Sequence, residues 1–178
     1  MTLDRPPRVY AEWLPLVDRF AAGEDGVLPI LQAGSLDWTH VVAERFTRRL
    51  ADALATRLQR ITTDLQRALD RTTGDVCAVS FALLGARRAL IPLRAFATLT
   101  AAPDVVRTML ADEVTRFATR TQAAFEASAV RRRLEGGPLL KILRDTPLTA
   151  VVEPIGGGGD ADGAAGGLPS RRGRRIVG

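Results

Sequence analysis

Histidine, cysteine, lysine and tyrosine each occur once in this 178-residue chain, and aromatic residues make up only 5% of it. With Cys77 alone, no intramolecular disulfide can form. One cysteine and one histidine, His40, leave no zinc site of conventional composition, no Cys/His dyad and no Glu-x-x-His pair for a di-iron bundle. No cofactor and no metal is expected. Long apolar runs are missing as well. No charge-free stretch is longer than Val76 to Ala86, which gives way to Arg87, Arg88 and Arg94, whereas a membrane span needs about 20 apolar residues in succession. The N-terminus has neither the apolar core of a secretory signal nor the glycine of a myristoylation site, so a cytoplasmic protein is expected. No segment combines period-two alternation with β-branched enrichment, which leaves little room for strands.

What the chain has in quantity is arginine: every basic residue except Lys141 is one. With abundant alanine, glycine and leucine, this skew points to a GC-rich bacterial genome, so part of the basic balance is codon usage. The formal charge of +5 also overstates the body of the protein. Arg171, Arg172, Arg174 and Arg175 stand in the tail against Asp160 and Asp162, and residues 1–153 carry only +3. A body this close to neutral is weak grounds for a polyanion partner. At 46% hydrophobic and 25% charged residues, the composition is globular and can build a core.

Helical periodicity dominates, and the expected fold is all-α. A first amphipathic helix covers Val9 to Ala22 with Trp13, Leu14, Leu16, Val17 and Phe20 near one face and Gly23 at its end, although Pro15 would allow a later start. Gly26 to Gly34 reads as a short helix at most, or a packed loop. A long helix then runs from about Leu36 to Thr72, with Ser35 or Asp37 as N-cap and Gly74 closing it. Along it Phe46, Leu50, Leu54, Leu58, Ile61, Leu65 and Leu69 recur at spacings of four and three, one apolar stripe on a rod of roughly 55 Å. Asp75 caps a second long helix, Val76 to about Thr100. Its first three turns are apolar nearly all round, so it should be the most buried element, facing Leu58, Ile61 and Leu65 and enclosing Cys77.

Pro103 and Asp104 open a third rod that reaches about Leu134, with Val106, Leu110, Val114, Phe117, Thr121, Ala124 and Phe125 as its inner face. Short connections force antiparallel neighbours, giving a bundle of three long helices in which the shorter N-terminal helix could be the fourth. Pro138 to Arg144 suggests a short terminal helix. The expected divisions are a flexible segment over 1–8, the bundle over 9–153 and a disordered tail over 154–178. In that tail a Gly-rich linker precedes the arginine cluster.

The residues that could carry chemistry are few. His40 falls in the first turn of the long helix and reads as a surface or cap residue. Gly156 to Gly159 lacks the strand, the Gly-Lys-Ser/Thr ending and the helix of a phosphate loop, and reads as a linker. Gly23-Glu24-Asp25-Gly26 lacks the calcium-loop pattern. Arg131, Arg132 and Arg133 spread over about 200° of a helix circumference and suit a helix end better than one duplex backbone. Arg45, Arg49 and Arg67 are interleaved with Glu44, Asp52 and Asp70, a mixed solvated face. Acid/base work would rest on isolated carboxylates such as Glu12 or Glu44.

Two functions from different classes are compatible with this inventory. The first is a non-catalytic helical interaction or scaffold module, oligomeric or bound to a helical partner, because the long rod outruns a domain whose radius of gyration would be near 15 Å. The second is a nucleic-acid-associated accessory protein that uses the basic helix faces and Arg171, Arg172, Arg174 and Arg175 against a polyanion. The tail has no aromatic residue for base stacking, so such binding would be indifferent to sequence.

Overall fold

A computed structural model describes residues 5–71, 76–131, 141 and 144–152, and within them every regular element is helical. Helix α1 spans Tyr10–Ala22. A single 3-10 turn, Asp25–Val27, leads into α2, Leu28–Gln32. The three rods are α3, His40–Arg71, α4, Val76–Ala97, and α5, Asp104–Arg131, and the short α6, Thr149–Val152, follows. Adjacent rods pack together as an antiparallel three-helix core, the expected all-α bundle.

Helix α1 begins at Tyr10 in spite of Pro15, one turn inside it. The lost backbone bond is offset at both ends. Glu12 Oε2 accepts the amides of Arg8 (2.7 Å) and Val9 (3.3 Å), and Gly23 stops the helix at φ 107°, a conformation open to glycine. Trp13 is fully buried and its indole N–H donates to the Ser35 carbonyl at 3.2 Å. Within the segment expected to be flexible, Pro7 is buried and its carbonyl accepts the Ser35 amide at 2.9 Å.

Helix α3 starts at His40, later than expected, and neither Ser35 nor Asp37 is its cap. Residues 34–39 stay non-helical because they are engaged elsewhere. Ser35 bridges Pro7 and Trp13, while the Trp38 indole donates to the Ala101 carbonyl beyond α4. The residues expected to cap and close the junction between α3 and α4, Gly74 and Asp75, lie outside those described, as does most of Pro138 to Arg144.

The α3 stripe is buried as its spacing requires, from Phe46 through Leu50, Leu54, Leu58 and Ile61 to Leu65, with Leu69 half-buried. On α5 the register differs from the expected one. Leu110, Val114 and Phe125 are buried, but the inner positions between them belong to Ala118 and Gln122. Ala124 is exposed and Phe117 only half-buried. Gln122 is polar, yet its Oε1 accepts the Leu148 amide at 3.1 Å, fixing the start of α6 against α5.

Helix α4 is the larger correction. Val79, Leu83, Ala86, Leu90, Leu93 and Phe96 are buried, but Phe81 is 71% and Ile91 59% exposed, and Cys77 is exposed too. A helix in contact with only two rods has one side with no neighbour, so an all-round apolar sequence does not imply all-round burial.

Candidate interaction surfaces

The nine aromatic rings divide the molecule into a closed end and an open one. Six of them seal the end beside α1. Phe46 meets Tyr10 edge-on at 5.8 Å, Trp13 at 5.3 Å and Trp38 at 5.3 Å, and Phe20 stacks on Phe96 at 4.2 Å. The other three lie away from this cluster: Phe117 and Phe125 on a groove between α3 and α5, and Phe81 on the outer side of α4.

A three-helix core has three grooves. Helices α1 and α2 together cover the one between α3 and α4: α2 packs on α4, Phe20 of α1 stacks on Phe96, and on the α3 side Arg57 reaches the Phe20 carbonyl (2.9 Å) and Asp25 (2.8 Å), and Arg60 the Ala22 carbonyl (2.7 Å). Helix α6 packs on α4 and α5, with Arg94 donating to the Val151 carbonyl at 2.7 Å. Over the third groove, between the parallel rods α3 and α5, no described helix is packed. It holds a cavity of about 600 Å³ toward the far ends of the rods, lined by Leu65, Leu69, Phe117, Ala124 and Phe125 with Asp70 and Arg120 among its polar residues. A second hollow of about 550 Å³ lies toward the starts of the rods, where Ala43, Thr47 and Ala51 meet Met109. Sequence reasoning missed this groove because Phe117, Thr121 and Ala124 read as core. Their burial would have required a fourth helix on that side.

The carboxylates proposed for acid/base work are held in structural roles. The Glu12 carboxyl lies below its usual range, first because the Arg8 amide donates to it and then because the Val9 amide does. The hydrogen bond from Arg19 lowers Glu24 in the same way. Glu44 pairs with Arg48 at 3.3 Å. Of the basic face on α3, Arg49 is paired with Asp18 and Arg67 with Asp64. Among the described residues no three His, Cys, Asp or Glu side chains gather as a metal site would need, and no helix is long and apolar enough to cross a membrane. Arg171, Arg172, Arg174 and Arg175 lie outside the described residues, as do Arg132, Arg133 and the glycine cluster. No protein-family model, curated protein or solved structure matches this chain.

Proposed function

We propose that this protein is a non-catalytic helical interaction or scaffold module that self-associates through the α3–α5 face. The observation that carries this reading is the α3–α5 groove, over which no described helix is packed. Two of the three grooves of the core are roofed by the chain's own helices, and the third leaves Leu69 and Phe117 half-buried and Ala124 exposed. Apolar grooves between helices are docking sites for further helices.

A second copy suits it. Helices α3 and α5 run parallel, so a two-fold axis lying in the face and running along the rods sets each α3 over, and parallel to, the other copy's α5, which packs the four rods as one bundle. The two walls carry opposite charges at the cavity, Asp70 on α3 and Arg120 on α5, where Arg120 also faces Glu113 of its own helix at 3.8 Å. The pairing also accounts for the length of α3, whose 32 residues extend about 48 Å.

Light scattering on the full chain across the micromolar range tests this. The expected result is a dimer that dissociates on dilution. Ala124→Arg should be monomeric with an unchanged melting temperature, because position 124 is exposed in the single copy. A strict monomer at every concentration overturns the proposal.

A further inference from the structure

The outer side of α4 carries a second surface, of different character, that no described helix covers. Phe81, Leu84, Arg88 and Ile91 fall within an arc of about 80° on the helix, opposite its buried residues, and extend over about 15 Å. Phe81 and Ile91 are the most exposed large apolar residues of that helix, at 71% and 59%. None of the cavities described above is lined by these residues, and they stand out as a ridge.

The charges on this helix are all of one sign. Helix α4 carries Arg87, Arg88 and Arg94 and no carboxylate. Arg94 is used against the Val151 carbonyl, but Arg87 and Arg88 make no ion pair among the described residues. On the other helices, Arg19, Arg48, Arg49, Arg57, Arg67, Arg107 and Arg116 each hold a carboxylate. On the neighbouring rods Asp64 is engaged by Arg67 and Glu126 by the Gln122 amide at 2.7 Å. An occupant of this ridge must therefore be apolar and anionic together.

A second copy does not qualify, since pairing α4 with itself places Arg87 and Arg88 against their own images. A partner helix docks into a groove, which the ridge does not provide. A fluid interface needs no shape complementarity. It accepts protruding Phe and Ile side chains at the level of the acyl boundary while its phosphates meet arginine.

We infer that α4 is a peripheral membrane-contact helix that lays Phe81, Leu84 and Ile91 into the interface of an anionic bilayer, with Arg87 and Arg88 on lipid phosphates. The helix lies on the bilayer and does not cross it. This surface is separate from the α3–α5 groove, so either can fail alone.

Vesicle co-sedimentation of the full chain tests it, using phosphatidylcholine vesicles with and without phosphatidylglycerol. The expected result is binding to the anionic vesicles alone. The double variant Phe81→Ser/Ile91→Ser and the double variant Arg87→Ser/Arg88→Ser should each weaken it at least tenfold. Phe81, Arg88 and Ile91 are exposed and Arg87 is half-buried, so circular dichroism and the melting temperature should match the parent. Replacing Arg171, Arg172, Arg174 and Arg175 by serine in the full chain separates the tail's contribution. Retained binding in that variant supports the inference. Binding that depends on the tail and ignores Phe81 and Ile91 overturns it, as does failure to bind anionic vesicles. Binding of a designed Glu/Leu amphipathic peptide in place of vesicles, lost in Phe81→Ser/Ile91→Ser, also overturns it and makes the ridge a helix-docking surface.

Discussion

The guanidinium of Arg57 lies 4.8 Å from the centre of the Phe20 ring and donates to the carbonyl of the same residue at 2.9 Å. One side chain thus holds α1 to α3 through both the ring and the backbone of a single residue, and its second contact, Asp25 at 2.8 Å, fixes the turn that follows. Arg57 is 8% exposed, so its charge is compensated in place.

Replacing Arg57 by leucine should cost about 2–3 kcal/mol, the value of a charge-assisted hydrogen bond near a buried carbonyl plus the ring contact. Lysine should recover only part of it, lacking the planar fork that serves two acceptors. Urea unfolding of the three proteins checks this. An Arg57→Leu variant as stable as the parent would mean that α1 is held by its apolar face alone.

Two glycines should respond oppositely to alanine. At Gly34 an added methyl would stand 2.6 Å from Trp13 and 2.9 Å from Pro7, and Trp13 cannot retreat without losing its hydrogen bond to Ser35. Gly34→Ala should destabilise by about 1–3 kcal/mol. At Gly85, inside α4, the methyl meets nothing, so Gly85→Ala should stabilise by about 0.5–1 kcal/mol through helix propensity. Melting temperatures moving in the same direction would contradict the packing described at one site or the other.

Stability should depend on pH through Glu12. Its folded value lies below the ordinary 4.5 because the amides of Arg8 and Val9 bind the carboxylate. A depressed folded value contributes stability that is complete above the unfolded value and is lost as pH falls through the folded one. The gap in melting temperature between the parent and Glu12→Gln should therefore be widest near neutral pH and shrink below about pH 4.5. A gap that persists into acid would show that the cap acts by shape and not by charge.

Cys77 is exposed and should react with a thiol reagent in the folded protein at a rate within about tenfold of the unfolded chain. Protection until denaturant is added would contradict the placement of the first turn of α4.

Phe81 and Phe117 show where reading the sequence stops being sufficient. The stripe from Phe46 to Leu65 could be recognised because a helix buried along one side writes its burial as a period of 3.6, and each of its buried residues is where that period puts it. Phe117 and Phe81 are equally apolar, but their burial depends on whether another helix lies opposite, and periodicity within one segment carries no information on that. Gln122 is the converse case. It sits on the inner side because a backbone amide 26 residues later needs an acceptor, a long-range relation that hydropathy ranks against. Ser35 and Trp38 likewise delay α3 through contacts with Pro7, Trp13 and Ala101 that local capping preferences do not register. The α3–α5 groove was legible only as its cause, rods longer than a compact fold requires.

The most direct test of self-association through that groove is the distance between labels on two copies. A nitroxide on Ala124→Cys, in a Cys77→Ser background, stands on the exposed wall of the α3–α5 face, and pulsed dipolar spectroscopy reads only pairs of copies because each chain carries one label. Pairing about a two-fold axis that lies in this face along the rods predicts one narrow distance whose amplitude rises with protein concentration and disappears on dilution with unlabelled chain. A featureless decay at concentrations where light scattering shows a dimer would place the interface elsewhere, and the same decay with a monomeric mass would remove the proposed function.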